Sequence, residues 1–182
     1  MRIRNEIETA VRDEVGLQKQ NGHKKLLPCW CELCRADVTA LSLSTLPPRY
    51  VTTVSHSTLS GGAGGGAVAS TILTSMRKVA RRPKHRHCFP ESQSSRVKII
   101  NYTFQEGFSR LASYMRQPNL PCICARCQDD TLAYALNRYP PKYGVLHAGN
   151  TKLPPYHLDH IRQELHLIIS HAGAVVGKHP RH

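Results

Sequence analysis

Six of the chain's seven cysteines fall into two tight groups, Cys29, Cys31, Cys34 and Cys122, Cys124, Cys127, and both read C-x-C-x-x-C. Thiolates at this spacing can converge on one soft metal ion, and structural zinc asks for four such ligands in a tetrahedron. For the first group the remaining cysteine, Cys88, is the natural fourth ligand. No eighth cysteine exists for the second. His179 and His182, in the C-terminal Lys178-His179-Pro180-Arg181-His182, can supply an imidazole nitrogen instead. The expectation is Zn2+ as a structural cofactor, one ion per group. An iron–sulfur cluster, a redox pair and plain buried thiols are the competing uses. A catalytic zinc would need an open position with an acid or base beside it. Glu32 stands in place for this, but its counterpart is Ala125. No acid–base pair recurs in both groups, so the chain is not read as an enzyme.

The two groups belong to a longer repeat. Leu27-Pro28-Cys29 through Cys34 aligns with Leu120-Pro121-Cys122 through Cys127. The register then continues without a gap: Asp37 on Asp130, Ala40 on Ala133, Leu43 on Leu136, Pro47-Pro48 on Pro140-Pro141, and Arg49-Tyr50 on Lys142-Tyr143. Self-similarity at this length signals repeated structural units.

Each copy has the elements needed to hold its cysteines. An amphipathic helix comes first, from about Asn5 with Ile7, Val11 and Val15 on one face, and in copy two with Phe104, Phe108 and Leu111. A polar connector follows, longer in copy one (Gln18 to Lys25). The cysteines then lead into a second helix that stops at the double proline, because the residue before proline resists helical geometry. Tyr50 to Val54 is β-branched and short, which predicts a strand; Gly144 to His147 is its weaker counterpart. Gly61 to Gly66 reads as a flexible loop. A third helix spans about 67–81 in copy one and about 157–176 in copy two, where Leu158, Ile161, Leu165, Ile168 and Ile169 form an apolar stripe. A basic, then polar stretch over 82–96 separates the copies. The predicted fold is mainly α with short strands: two tandem small zinc-containing helical modules arranged as a pseudo-dimer. The first module covers 1–88, a linker 89–97, and a second, diverged module 98–182.

The chain has 182 residues, of which aromatics are only 6%, which argues against one large core. Modules of roughly 80–90 residues gain from a metal or a partner. The formal charge of +13 points to an anionic partner. No apolar run reaches membrane-spanning length, and the first residues lack the apolar segment of a signal peptide. The expected location is the cytoplasm, where thiols stay reduced and clustered cysteines favour metal.

The unit Cys-x-Cys-x-x-Cys, then Asp37-Val38-Thr39-Ala40-Leu41-Ser42-Leu43, then Leu46-Pro47-Pro48-Arg49-Tyr50-Val51, resembles the late competence development ComFB family. The resemblance spans nearly all of copy one. Copy two matches more loosely, with Asn137-Arg138-Tyr139-Pro140-Pro141-Lys142-Tyr143 in the second position. It implies a small, mostly helical zinc module that pairs as a dimer, with a fourth cysteine after the last helix. It also implies a signalling receptor for cyclic dinucleotides, chiefly cyclic di-GMP, acting with a protein partner in bacterial control of motility, competence or lifestyle.

Side chains suited to such a ligand are present. Arginine pairs bidentately with a guanine edge and forks onto phosphate, and tyrosine stacks on bases. Arg49-Tyr50 and Lys142-Tyr143 offer these groups; Arg35 and Arg138 add charge on the second helices. Asp37 and Asp130 can accept from guanine N–H groups. The plainer alternatives are that both aspartates only favour the helix dipole and both tyrosines pack in the core. Lys142 lacks the planar fork of Arg49, so a site shared by the two copies is lopsided. The partners expected are a cyclic dinucleotide and a second module, through either a homodimer or an intramolecular pseudo-dimer; no membrane is expected. The competing function is a zinc-containing nucleic-acid-binding module using Arg77, Lys78, Arg81, Arg82, Lys84 and Arg86, which suits backbone attraction without base readout.

Overall fold

The computed structural model describes residues 3–21, 26–27, 29–52, 65–85, 97–147 and 155–181. The order of elements is β1 (Ile3–Asn5), α1 (Glu6–Gln20), α2 (Glu32–Thr45), β2 (Tyr50–Thr52), α3 (Gly65–Arg81), β3 (Lys98–Asn101), α4 (Tyr102–Tyr114), α5 (Ala125–Leu136), β4 (Tyr143–Leu146) and α6 (Pro155–Lys178). The fold is mainly helical, and the same strand–helix–helix–strand–helix order occurs twice.

Each half is a three-helix packing with a two-stranded antiparallel ribbon at one end. β1 pairs with β2 so that Asn5 faces Tyr50, and β3 pairs with β4 so that Asn101 faces Tyr143. Both asparagines are N-caps: Asn5 Oδ1 accepts from Ile7 N, and Asn101 Oδ1 accepts from Phe104 N. That satisfies a helix-end donor that would otherwise lie bare. The double proline ends α2 as expected, with Leu46 extended before Pro47, whereas α5 already stops at Leu136, ahead of Pro140.

The strands β1 and β3 were not foreseen in the sequence. Both are too short to show a period-2 pattern, and they exist because the tyrosine strands pair with them. Of the predicted glycine loop, Gly65 and Gly66 belong to α3, and Gly61 to Gly64 lie outside the described residues. Tyr50 to Thr52 is strand as predicted, and the rest of that segment lies outside the described residues.

Phe108 corrects the predicted face of α4. It is 50% exposed, while Thr103, Gly107, Leu111 and Tyr114 are buried. The buried stripe advances by four, four and three residues from Thr103, so Phe108 falls about a quarter-turn outside it.

The two halves share cores. Tyr50, from the first half, is buried in the cluster built by Leu111, Leu132, Leu136, Leu165 and Ile169 of the second. Val145, from the second half, is buried against Leu33, Ala36 and Ala40 of the first. Each half therefore inserts its tyrosine strand against the second helix of the other. The hydrogen bonds repeat this exchange. Tyr50 N donates to Asn137 Oδ1 (2.6 Å), and Tyr143 N donates to Ser44 Oγ (2.9 Å). Ser44 and Asn137 hold the same register position in the repeat. A contact made reciprocally by equivalent residues is the signature of two-fold pairing.

The pairing is only approximately symmetric. At its centre Asn101 Nδ2 donates to both tyrosine hydroxyls, at 2.6 Å for Tyr50 and 2.8 Å for Tyr143. Asn5 Nδ2 donates to Tyr143 Oη at 3.0 Å, and Tyr143 Oη donates to Glu8 Oε1 at 2.6 Å. Where the first half has Glu8, the second has Phe104, which stacks on Tyr50 with ring centres 6.1 Å apart.

Candidate functional site

The cysteines sit on the loop that enters the second helix of each half, and one hydrogen bond closes the loop in the same way in both. Cys31 N donates to Cys29 Sγ and Cys124 N donates to Cys122 Sγ, both at 3.4 Å. Cys31 and Cys124 are the N-cap residues of α2 and α5. The third cysteine of each group, Cys34 or Cys127, lies in the first turn and is buried. Thiolate charge at a helix N-terminus is favoured by the helix dipole.

The first group has a fourth member that the sequence reading missed. His85 joins Cys29, Cys31 and Cys34, with one ligand atom from each lying within 4.8 Å of the others. Its Nε2 is 2.9 Å from Cys34 Sγ and 3.4 Å from Cys31 Sγ. A zinc tetrahedron with Zn–S of about 2.3 Å and Zn–N of about 2.0–2.1 Å has S···N edges of roughly 3.5 Å. Three thiols and one imidazole nitrogen at these separations fit that ion. Cys88, the fourth ligand expected from the sequence, lies outside the described residues. The predicted basic linker thus gives up Lys84 and His85, which fold back onto α2.

The second group, Cys122, Cys124 and Cys127, brings three thiols within 4.8 Å of one another. His179 is not among them: it is exposed and lines a cleft beside Asp130 and Arg181. That corrects its assignment as a ligand. It sits immediately after the last turn of α6, one residue short of the proline that redirects the chain. His182 lies outside the described residues. Pro83-Lys84-His85 and Pro180-Arg181-His182 occupy the same position after the third helix, so His182 is the register equivalent of His85.

Electrostatics favour a cation at both groups. Burial pushes the Cys34 thiol well above its usual range, and the neighbouring Cys31 and Cys29 raise it further. Cys127 is pushed up to about 12, first by burial and then by Cys122 and Cys124. Cys124 moves down, chiefly because the Cys127 backbone N–H donates to its sulfur. Packed thiols cannot all ionise together unless a positive ion sits among them. Metal-binding clusters are therefore the chemistry the donor sets support.

One helical turn beyond each cysteine group lies an aspartate held by a cation. Asp37, 5% exposed, has Lys84 Nζ 2.5 Å from its Oδ1. Asp130, 7% exposed, is gripped by Arg181 through both carboxylate oxygens, with Nε 2.9 Å from Oδ2. Each pair stands at the mouth of a cleft on the seam between the halves. The first, of about 260 Å3, includes Asp37, Ser44, Lys78, Arg82 and Lys84 with Tyr143 from the other half. The second, of about 360 Å3, includes Asp130, Asn137, Arg138, His179 and Arg181 with Tyr50 from the other half. Asp37/Asp130, Ser44/Asn137, Lys84/Arg181 and Tyr143/Tyr50 are equivalent positions, so the two clefts are one cleft built twice. In each, the buried carboxylate already has a cation, and the remaining charged groups are basic.

The other predicted ligand residues are distributed as follows. Arg138 lies over the Tyr134 ring at 3.4 Å beside the second cleft. Arg35 pairs with Glu32 on α2. Arg49 is bound to the buried Glu6, Nε to Oε2 3.1 Å. Lys142 borders a separate cleft of about 570 Å3 with Tyr139, His157, His160 and Glu164. Tyr50 and Tyr143 contribute their rings to the core and seam and an edge to a cleft each. Arg77, Lys78, Arg81 and Arg82 form an exposed basic end to α3. Among the described residues no helix is long and apolar enough to cross a membrane.

The model of the family named late competence development protein ComFB matches this chain twice, over residues 4–83 and 101–180. No curated protein and no solved structure matches it. Both matches end at the prolines that precede Lys84-His85 and Arg181-His182.

Proposed function

Since the chain belongs to the late competence development protein ComFB family and carries two copies of its domain in tandem, we propose that it is a non-enzymatic signalling receptor for a cyclic dinucleotide, most directly cyclic di-GMP, with a structural zinc ion in each module. The observation that carries the proposal is the doubled cleft on the seam. Cyclic di-GMP is itself two-fold, with two phosphates and two guanines. Two equivalent clefts, each with an aspartate and surplus basic groups, offer matching chemistry: cations for phosphate and a carboxylate or amide for the guanine edge. Zinc, held by Cys29, Cys31, Cys34 and His85 and by Cys122, Cys124, Cys127 and His182, would tie the start of the second helix to the chain leaving the third. It performs no chemistry on the ligand.

The exposed basic end of α3 favours one rival, attraction to a nucleic-acid backbone. Titration calorimetry with cyclic di-GMP, cyclic di-AMP and a short DNA duplex at two salt concentrations separates them. The receptor gives saturable binding to a cyclic dinucleotide with weak salt dependence, and Arg82→Glu weakens it. Binding to DNA alone, falling steeply as salt rises, assigns the basic end of α3 to nucleic acid instead.

A further inference from the structure

The chain leaving α3 turns at Pro83 and lays two consecutive residues on α2. Lys84 reaches Asp37 at 2.5 Å, and His85 reaches Cys34 at 2.9 Å. Cys34 and Asp37 are three residues apart, so they are neighbours on one helix face. One strap therefore carries a metal ligand and a cleft cation side by side. We propose that this strap couples the two sites: a metal ion on His85 holds Lys84 on Asp37, and occupation of the cleft in turn tightens the metal. The coupling rests on the metal reading given above.

The physical basis is shared ordering. Lys84 is about half exposed, with 49% of its side chain accessible, whereas the Asp37 side chain is 6% accessible. An exposed lysine alone gains little from an ion pair, because holding its long side chain still offsets the attraction. A buried carboxylate that loses its cation is strongly disfavoured. Fixing His85 on a metal restrains the backbone of the adjacent residue, so Lys84 meets Asp37 at a lower ordering cost. Linkage makes the effect mutual: whatever stabilises the Lys84–Asp37 arrangement raises metal affinity by the same factor.

The second module repeats the cation–aspartate half of this arrangement. Arg181 grips Asp130 and also donates from Nη2 to Thr52 Oγ1 at 3.3 Å, and Thr52 belongs to β2 of the other half. The next residue is His182. There Arg181 also reaches the seam, so it adjoins a cleft and the facing strand. A purely structural ion pair closing α3 would share the geometry but would not affect the metal.

The test is metal transfer from the zinc-loaded full chain to a chromogenic chelator, compared among wild type, Asp37→Asn, Lys84→Met and Lys84→Arg. The first two are expected to release one of the two ions about 10-fold faster, in the range for residues that support a metal ligand from outside its shell. Lys84→Arg, which restores the residue used in module two, should behave as wild type, and the second ion should be unaffected. Unchanged release in both Asp37→Asn and Lys84→Met overturns the coupling. So does equal acceleration of both ions, which marks general loosening. A chain that retains no zinc overturns it together with the metal reading. In a second arm, cyclic di-GMP should slow release of the same ion. Binding by calorimetry with no slowing rejects coupling to the cleft, whereas absence of binding rejects the receptor and leaves the substitutions to decide the strap.

Discussion

The side-chain amide of Asn137 clamps the backbone of Tyr50 from both sides. Its Oδ1 accepts from Tyr50 N at 2.6 Å and its Nδ2 donates to Tyr50 O at 2.9 Å. The two residues come from different copies of the repeat, so a strand of one module is completed by a side chain of the other. At the equivalent place Ser44 makes a single bond to Tyr143.

Asn137→Ala should therefore cost more than Ser44→Ala. Leaving a buried backbone donor and acceptor without a partner costs about 1–3 kcal/mol, against about 0.5–1.5 kcal/mol for one ordinary hydrogen bond. Chemical denaturation of the two variants checks this. Equal losses would mean that water replaces the amide clamp.

Gly144 is explained by its neighbour. A Cβ there would lie 2.6 Å from the Tyr102 ring, whereas in the first module, where Val51 holds this position, the counterpart of Tyr102 is Glu6. Gly144→Val should destabilise by about 1–3 kcal/mol through overpacking. The double change with Tyr102→Glu rebuilds the first module's pair and should recover part of the loss. A strictly additive double-mutant cycle would contradict the steric account.

Tyr50 titrates late. Burial raises its hydroxyl from 10 to about 12, partly offset by the amide of Asn101, which donates to it, and by the neighbouring Tyr143 hydroxyl. A proton held more tightly in the folded state contributes stability that is whole below the unfolded pKa and is lost as pH rises through the folded one. The seam should therefore weaken between about pH 10 and 12. The difference in tyrosinate absorbance between wild type and Tyr50→Phe reads this step. An ordinary phenol titration at that position would show the ring to be solvated.

His85→Ala should lower zinc retention at the first module, and His182→Ala should do so at the second. On the proposed assignment Cys88→Ser should leave zinc retention at the first module unchanged, since His85 already stands with the three thiols. Metal content after dialysis against a weak chelator decides it. Loss of zinc from Cys88→Ser with none from His85→Ala would return the ligand role to the cysteine.

Much of this was legible in the chain. Thiol spacing, the double proline and the ungapped register from Leu27 to Tyr50 carry local information, and they yield the two modules, their helices and both cysteine groups. The missing parts depend on contacts between distant segments. β1 and β3 are stabilised by pairing with the tyrosine strands, and the burial of Tyr50 depends on the facing module. His85 was hidden for another reason: three residues later stands Cys88, an equally suitable soft ligand by type, which lies outside the described residues. The signal for it was nevertheless present, because Pro83-Lys84-His85 recurs as Pro180-Arg181-His182. Phe108 shows the limit of reading periodicity from aromatic positions alone.

Native mass spectrometry of the zinc-loaded chain with and without cyclic di-GMP tests the central claim most directly. The account predicts a chain holding two zinc ions, one for each thiol cluster, that gains the mass of cyclic di-GMP and loses that adduct in Arg82→Glu. A zinc-loaded chain that takes up no cyclic dinucleotide would contradict it.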